Sequence, residues 1–265
     1  MRELPDQKAD LVTETHAYGA PEAPLEGFVA YDQRRKEKRA GVLVLHTWRG
    51  LDDYVRRRTK MVADLGYVAL AADLFGKGVV PKDVPERQAL LNKHLSDRGL
   101  LRERCRAGLD ALRAHPLVDP GKVAAIGYCF GGCAVLELAR SGADVRGVVS
   151  FHGLLSTPTP EDARNIRGSV LVLNGAEDPR VPPSDVEAIH KEMRDAAVDW
   201  QLVHYGNAVH SFTDQGAGNN PAAGSAYNER ADARSWKAMK DFLEEIFRQS
   251  RNERADATLH LVASK

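Results

Sequence analysis

One cysteine in this sequence lies between glycines at the spacing used for an exposed nucleophile. Cys129 stands in the segment Gly-Tyr-Cys-Phe-Gly-Gly, residues 127–132, directly after the apolar run 123–126. That order predicts a strand, a sharp turn and a helix that pass too close together for Cβ atoms beside the turn. Cys129 would then lie at the positive end of a helix dipole, where a thiolate is favoured over a thiol. The chemistry predicted here is nucleophilic attack by sulfur.

A carboxylate that could orient a base is predicted at Asp178. It lies in a loop directly after the apolar run 170–173, so its side chain would emerge at the same edge of the sheet as Cys129. Glu177 is the alternative, and Asp178 is preferred because it is nearer the turn bounded by Pro179.

The candidate base is His210, in the loop after the strand predicted at residues 200–205. His204 is the alternative and is less suited because it falls inside that strand. Nucleophile, acid and histidine then follow one another along the chain in the order that α/β-hydrolases use.

Together these side chains predict a Cys–His–Asp catalytic triad. His210 would take the proton of Cys129, because a free thiol with a pKa of about 8.5 is mostly protonated at neutral pH. Asp178 would accept the other ring proton and stabilise the imidazolium. Attack on a carbonyl creates a negative oxygen, and we expect the backbone N–H groups of Phe130 and Trp48 to receive it.

The elements that must position these residues follow a strand-then-helix pattern. Residues 11–17 and 25–32 alternate apolar and polar side chains, as in an antiparallel edge hairpin. Beyond residue 39, unbroken apolar runs indicate strands buried on both faces, and hence a mostly parallel, doubly wound α/β sheet in one domain. The predicted strands are 41–45, 67–72, 123–127, 145–151, 170–174 and 200–205, and the predicted helices are 52–65, 85–97, 100–114, 132–141, 184–197 and 226–248.

Composition excludes several classes of protein. The chain has 265 residues, of which 43% are hydrophobic and 28% charged, as in ordinary globular proteins. Lys and Arg number 37 and so do Asp and Glu, so no net charge attracts nucleic acid or a membrane surface. No apolar run approaches the roughly 20 residues of a membrane span. Three cysteines favour a reducing, cytoplasmic location over a disulfide scaffold.

These residues resemble the dienelactone hydrolase family, whose nucleophile is a cysteine in a Gly-Tyr-Cys-x-Gly-Gly turn. The likeness extends over residues 11–248 and includes the segments 71–76, 174–178 and 210–212. It implies an α/β-hydrolase fold and hydrolysis through an acyl-cysteine on the triad predicted above, with no cofactor and no metal.

The domain expected from this resemblance is flanked by two short segments. Residues 1–10 would be an N-terminal extension, residues 11–248 the hydrolase domain and residues 249–265 a C-terminal tail. The expected partner is a small-molecule ester or lactone, without nucleic acid or membrane, and the chain is expected to be a monomer or a homodimer.

Two positions depart from the family's pattern. Many members carry a glutamate near the resting cysteine where this chain has Thr47, so activation of Cys129 is expected to differ. Members that cleave dienelactone hold its carboxylate with arginines, and one of those positions corresponds to Asp214 here. An acid there would repel a carboxylate, although Arg87 or Arg98 could approach the pocket.

The chemistry of sulfur narrows the substrate independently of the resemblance. A thiolate leaves more readily than an alkoxide, so the adduct on a plain alkyl ester tends to expel sulfur and return to substrate. Enol lactones, aryl esters and thioesters have better leaving groups and are the expected substrates. The residues expected to line the pocket are Thr47, Trp48, Phe75, Arg87 and Phe212.

Two interpretations from other classes stay open. A redox or peroxide-responsive protein could use Cys129, with Cys133 resolving a sulfenic acid, but it leaves the acid and the histidine unexplained. A catalytically silent binding protein of the same fold is the second. His46 and His152 could line the same mouth, although structural histidines are the safer interpretation. A zinc site is weaker, because no paired Cys-x-x-Cys or His-x-x-x-His spacing is present.

Overall fold

The computed structural model describes residues 9–248, in which an eight-stranded sheet lies between two layers of helices. The strands are β1 (Leu11–Tyr18), β2 (Leu25–Asp32), β3 (Arg39–Leu45), β4 (Val68–Ala72), β5 (Val118–Tyr128), β6 (Gly147–Phe151), β7 (Ser169–Gly175) and β8 (Trp200–Tyr205). The helices are α1 (Asp53–Asp64), α2 (Val84–Ser96), α3 (Arg98–Ala114), α4 (Phe130–Arg140), α5 (Pro183–Asp195) and α6 (Glu229–Arg248). The predicted tail and most of the predicted N-terminal extension lie outside the described residues.

The strand order confirms the predicted fold class. It runs β1-β2-β4-β3-β5-β6-β7-β8, with β1 and β2 antiparallel to each other and β2 antiparallel to β4. The remaining neighbours, from β4 across to β8, are parallel. This is a mostly parallel sheet with an antiparallel N-terminal hairpin at its edge, in a single domain.

Burial on both faces explains the unbroken apolar runs. Along β3, Val42 and Val44 face one layer and pack with Tyr54 of α1. Leu43 and Leu45 face the other layer, where α3 and α4 lie. Alternate side chains therefore enter two separate cores, so all four of these residues can be apolar.

Within residues 9–248, no helix has the length and apolar content needed to cross a bilayer.

Three helix starts differ from the sequence prediction by two or three residues. Helix α3 begins at Arg98 rather than at residue 100. Helix α4 begins at Phe130 rather than at residue 132, so the helix starts directly after the cysteine. Helix α6 begins at Glu229 rather than at residue 226. The reason is that the N–H of Ala226 donates to the carbonyl oxygen of His210 at 3.0 Å, so the chain before α6 pairs with another loop instead of entering the helix.

Helix α4 is buried along its whole length and carries two charged residues into the interior. Arg140 donates to Glu137 at 3.0 Å and to Glu192 of α5 at 2.7 Å. Arg102 of α3 bridges Glu137 at 2.8 Å and Asp162 at 2.7 Å. The helix behind the cysteine is thereby tied to two other helices, a connection that local sequence patterns do not indicate.

Candidate active site

The turn between β5 and α4 has the strained geometry expected of a nucleophile elbow. Cys129 has φ 57° and ψ −113°, a region that side chains other than glycine rarely enter. A Cβ on Gly127 would lie 2.0 Å from the carbonyl oxygen of Gly131, and a Cβ on Gly131 would lie 2.1 Å from that of Leu45. Both glycines are therefore required for the strand, the turn and the neighbouring strand to meet.

The three predicted triad residues meet at the carboxyl edge of the sheet. His210 Nε2 lies 3.1 Å from Cys129 Sγ, and His210 Nδ1 lies 2.9 Å from Asp178 Oδ2. Because a carboxylate can only accept, Nδ1 carries a proton and Nε2 faces the sulfur. Asp178 and His210 are buried, whereas Cys129 is partly exposed. This arrangement can move a proton between sulfur and imidazole while the carboxylate fixes the tautomer.

The electrostatics of the site favour a thiolate–imidazolium pair. Burial alone would raise the pKa of Cys129, but the charge and hydrogen bond of His210, the N–H of Phe130 and the charge of Arg180 lower that pKa below its ordinary value. Burial alone would lower the pKa of His210, but the thiolate and Asp178 raise it to about 9. Arg180 is exposed and was not singled out by sequence analysis.

The backbone N–H groups of Phe130 and Trp48 are the donors predicted for an oxyanion. The N–H of Phe130, in the first position of α4, donates toward the sulfur of Cys129. In the loop after β3, Thr47 accepts from the N–H groups of Gly50 and Arg49 at 3.1 and 3.2 Å. The N–H of Trp48 has no hydrogen-bond partner within residues 9–248. Of the two predicted donors, that of Trp48 is unpaired among the described residues, whereas that of Phe130 faces the sulfur.

Glu177 and His204 are the two alternatives for the acid and the base. Both line a groove of about 630 Å³ between β8 and α5, which His190 and Asp178 also border. Neither makes the contact with Cys129 Sγ that His210 makes.

A buried hydrogen-bond network holds the loop that carries His210. Thr213 Oγ1 lies 2.5 Å from the hydroxyl of Tyr54 and 2.7 Å from His152 Nε2. The Thr213 carbonyl oxygen accepts from Arg58 at 2.5 Å. The rings of His152 and His210 are 5.4 Å apart, and burial together with the charges of His210 and Arg58 holds the pKa of His152 well below its ordinary value. Sequence analysis missed Thr213, Tyr54 and Arg58, because no local pattern marks partners so distant in the chain.

The repulsion expected from Asp214 is compensated. Arg49 donates to Asp214 Oδ2 at 2.7 Å and to Asp52 at 2.5 Å. The other carboxylate oxygen of Asp214 accepts from the N–H of Gly216 at 2.9 Å. Asp214 is thus a paired loop residue and not an unopposed negative charge in the site.

The residues predicted to line the pocket differ in how deeply they are buried. Phe212 is completely buried against His152 and Tyr205, so it belongs to the core and does not form a pocket wall. Phe75 is also mostly buried, with its ring against those of His46, Phe130 and His94. Thr47 is nearly buried, while Trp48 is partly exposed. Arg87 lies near the start of α2 and its role stays a prediction.

Arg98 and Cys133 contact each other instead of the site. Arg98 Nη1 lies 3.1 Å from Cys133 Sγ, and burial raises the pKa of the Cys133 thiol. A resolving cysteine would need an accessible thiolate, so the geometry disfavours the redox interpretation.

Within residues 9–248, no cluster of three or more His, Cys, Asp or Glu side chains is arranged to hold a metal ion.

Comparisons with known proteins agree with the fold. A model of the dienelactone hydrolase family matches residues 25–247. An uncharacterized protein of Caenorhabditis elegans is 40% identical over 158 residues, which are 57% of this chain and 98% of that protein. The crystal structure of a dienelactone hydrolase-like promiscuous phosphotriesterase from metagenomic libraries is 42% identical, with a TM-score of 0.84 over 89% of this chain and 98% of that one. A dienelactone hydrolase from Anabaena variabilis shares the fold at 21% identity, with a TM-score of 0.65 over 88% and 98% of the two chains.

Proposed function

Because the chain belongs to the dienelactone hydrolase family and is a hydrolase of the carboxylic ester or lactone type, we propose that it cleaves activated esters and lactones through an acyl-cysteine on Cys129. The observation that carries this proposal is the chain of contacts at 3.1 and 2.9 Å that joins Cys129, His210 and Asp178. The lowered pKa of Cys129 and the raised pKa of His210 support it, because they describe a thiol that gives up its proton more readily than usual and an imidazole that holds one.

In the proposed acylation step, the Cys129 thiolate attacks the substrate carbonyl carbon and a carbon–sulfur bond forms. The carbonyl oxygen becomes negative and is received by the N–H groups of Phe130 and Trp48. The tetrahedral adduct then collapses, the bond to the leaving oxygen, or to the leaving sulfur of a thioester, breaks, and the imidazolium of His210 gives that atom its proton. Asp178 stabilises the imidazolium until the proton has been transferred.

Deacylation uses the same groups in the opposite direction. His210, now neutral, takes a proton from water as the water oxygen attacks the acyl carbon. Collapse of the second adduct breaks the carbon–sulfur bond, releases the carboxylic acid and returns the thiolate beside the imidazolium. The cycle consumes one water and needs no redox change.

The proposed substrates are enol lactones, aryl esters and thioesters, since their leaving groups compete with sulfur for departure from the adduct. Carboxylate-bearing lactones stay within this class, because Arg49 pairs with Asp214 and removes the repulsion that its charge would otherwise cause.

Phosphotriesters are a second candidate substrate class. The observation that favours them is the 42% identity to a relative described as a promiscuous phosphotriesterase. The same thiolate could attack phosphorus, and the same two N–H groups could receive the phosphoryl oxygen. Release of nitrophenolate from an aryl dialkyl phosphate, together with a dialkylphosphoryl adduct on Cys129 in mass spectrometry, would test this activity.

The primary proposal is tested by turnover of 4-nitrophenyl acetate by the purified chain beside Cys129→Ala. We expect Cys129→Ala to lose turnover. In His210→Ala, we expect mass spectrometry to detect an acetyl adduct of Cys129, whether it accumulates or forms slowly. Turnover that survives in Cys129→Ala, or the absence of turnover of any aryl ester, enol lactone or thioester, would refute the proposal. Ligand binding without turnover would instead favour a silent binding protein.

A further inference from the structure

His46, in the loop after β3, is a fully buried histidine. It has no role in the proposed reaction steps. Its ring packs against Phe75 and Phe130, with centroids 4.7 and 6.2 Å away. Both ring nitrogens are hydrogen-bonded: Nδ1 lies 2.6 Å from the carbonyl oxygen of Thr47, and Nε2 lies 3.1 Å from the backbone nitrogen of Leu74.

These two partners define the protonation of the ring. A carbonyl oxygen can only accept, so Nδ1 carries the proton, and a backbone N–H can only donate, so Nε2 is the bare acceptor. A proton on Nε2 would oppose the N–H of Leu74. Burial lowers the pKa of His46, which agrees with a ring that stays neutral in this single tautomer.

The bond to Thr47 acts on the peptide unit that contains the N–H of Trp48. The carbonyl of Thr47 and the N–H of Trp48 belong to the same planar trans peptide, so they point in opposite directions. The Thr47 carbonyl also accepts from the N–H of Gly50 at 3.1 Å, so two donors hold it toward the interior of the loop. The Trp48 N–H is consequently directed away from His46 and has no partner within the described residues.

The second N–H donor lies close by. Because Gly131 has no Cβ, its backbone can approach the carbonyl oxygen of Leu45, at the end of the strand that leads into His46. That contact brings the start of α4, and with it the N–H of Phe130, beside the loop that carries Trp48.

We propose that His46 is a positioning residue, whose Nδ1–H bond to Thr47 orients the Thr47–Trp48 peptide so that its N–H can receive the substrate oxyanion. This inference rests on the proposed function, in which Trp48 supplies one of the two donors. His46 touches neither substrate nor sulfur and acts only through that peptide.

The test compares three variants of the full chain. His46→Asn places an amide N–H near the site of Nδ1 and retains the bond to Thr47, whereas His46→Leu removes both ring bonds. His94→Leu is the matched control, because His94 is a buried histidine in contact with Phe75 and Phe130 whose Nδ1 bonds Leu90 of its own helix and which has no bond to Thr47 among the described residues.

Two rates are measured for each variant: kcat/KM for 4-nitrophenyl acetate and the second-order rate of alkylation by iodoacetamide. Losing an oxyanion donor costs about 100- to 1000-fold, so we expect a misplaced one to lower ester turnover by roughly 10- to 100-fold in His46→Leu. His46→Asn and His94→Leu should stay within about threefold of the parent chain. Alkylation forms no oxyanion, so it should be unchanged in all three.

Equal losses of ester turnover and alkylation in His46→Leu would show a merely structural role, and undiminished ester turnover would overturn the proposal directly. Should His46→Leu fail to fold, His46→Gln, whose longer side chain can still accept from Leu74 but has no N–H at the place of Nδ1, serves the same comparison. Failure of the proposed function looks different: the parent chain itself would not turn over esters, or Cys129→Ala would.

Discussion

At the scale of single residues, the reactivity proposed for Cys129 depends on its contact with His210. The thiolate and the imidazolium stabilise each other, so the same contact at 3.1 Å lowers the pKa of one group and raises that of the other. Between the lowered pKa of Cys129 and about 9, the resting site therefore holds the ion pair. We expect this pairing to activate the sulfur at a site where the family resemblance places Thr47 instead of a glutamate.

The ion pair predicts different pH profiles for two reactions of the same sulfur. Both reactions should slow at low pH, where Cys129 becomes protonated, and the midpoint of this fall should lie below the ordinary pKa of a thiol. Ester turnover should also fall above about 9, where His210 loses the proton needed by the leaving group, whereas alkylation needs only the thiolate and should stay constant there. Stopped-flow rates between pH 4 and about 10 would check this, and an alkylation midpoint at the ordinary thiol pKa would contradict it.

Arg180 is predicted to tune the thiolate through its charge alone. Its backbone N–H donates to Asp178 at 2.9 Å, and its exposed guanidinium helps lower the pKa of Cys129. In Arg180→Gln, alkylation near pH 6 should slow by about two- to threefold at low salt, and the difference should vanish near 1 M salt because exposed charges are screened. Arg167→Gln is the control, since Arg167 is an exposed arginine at the opposite edge of the sheet, before β7. Equal effects of the two variants at low salt would refute a specific role.

At the scale of elements, the sequence predicts those features of the fold that depend on residues close together in the chain. The strand before Cys129 and the glycines around it are determined by neighbours in the chain, so the elbow was predicted correctly apart from the start of α4. The network of Thr213, Tyr54 and His152 joins residues that are up to 159 positions apart, and nothing in the local pattern selects those partners. For the same reason Phe212 was expected at a pocket wall: the sequence shows an aromatic residue near the histidine but not which way it faces.

The close approach of α4 to β3 makes a prediction about Gly131. Gly131→Ala would place a Cβ 2.1 Å from the carbonyl oxygen of Leu45, and since backbone cannot yield as a side chain does, the helix start must shift. We expect a loss of about 3 kcal/mol in the free energy of unfolding and at least a tenfold loss of ester turnover. Urea denaturation and kinetics of the folded protein would measure both.

Gly99→Ala is the comparison for that variant. Gly99 lies in α3, and a Cβ there would meet only the flexible side chain of Asp97 at 3.2 Å. Because alanine favours helix over glycine by about 1 kcal/mol, this change should be neutral or stabilising. A Gly131→Ala protein as stable and active as Gly99→Ala would show that the contact with Leu45 is not needed.

At the scale of the whole molecule, the two ends of α4 have separate roles. The first turn presents Cys129 and Phe130 to the site, and the last turn, about 16 Å away, ends in the buried pair of Arg140 with Glu192. Removing one partner of a buried pair leaves a charge without compensation, which costs more than the intact pair contributes. The network behind the helix should therefore control stability more than reactivity.

Arg140→Met tests that separation. It leaves Glu192 buried without its cation, while Glu137 keeps Arg102 at 2.8 Å, so we expect the free energy of unfolding to fall by about 3–5 kcal/mol. Adding Glu192→Met removes the stranded charge and should recover most of that loss, since well-packed apolar side chains can replace a buried pair. In both variants the alkylation rate of Cys129, measured in the folded protein at low temperature, should match the parent chain. If it falls in step with stability, the network also sets the tilt of α4, and the position of the nucleophile depends on contacts at the far end of its helix.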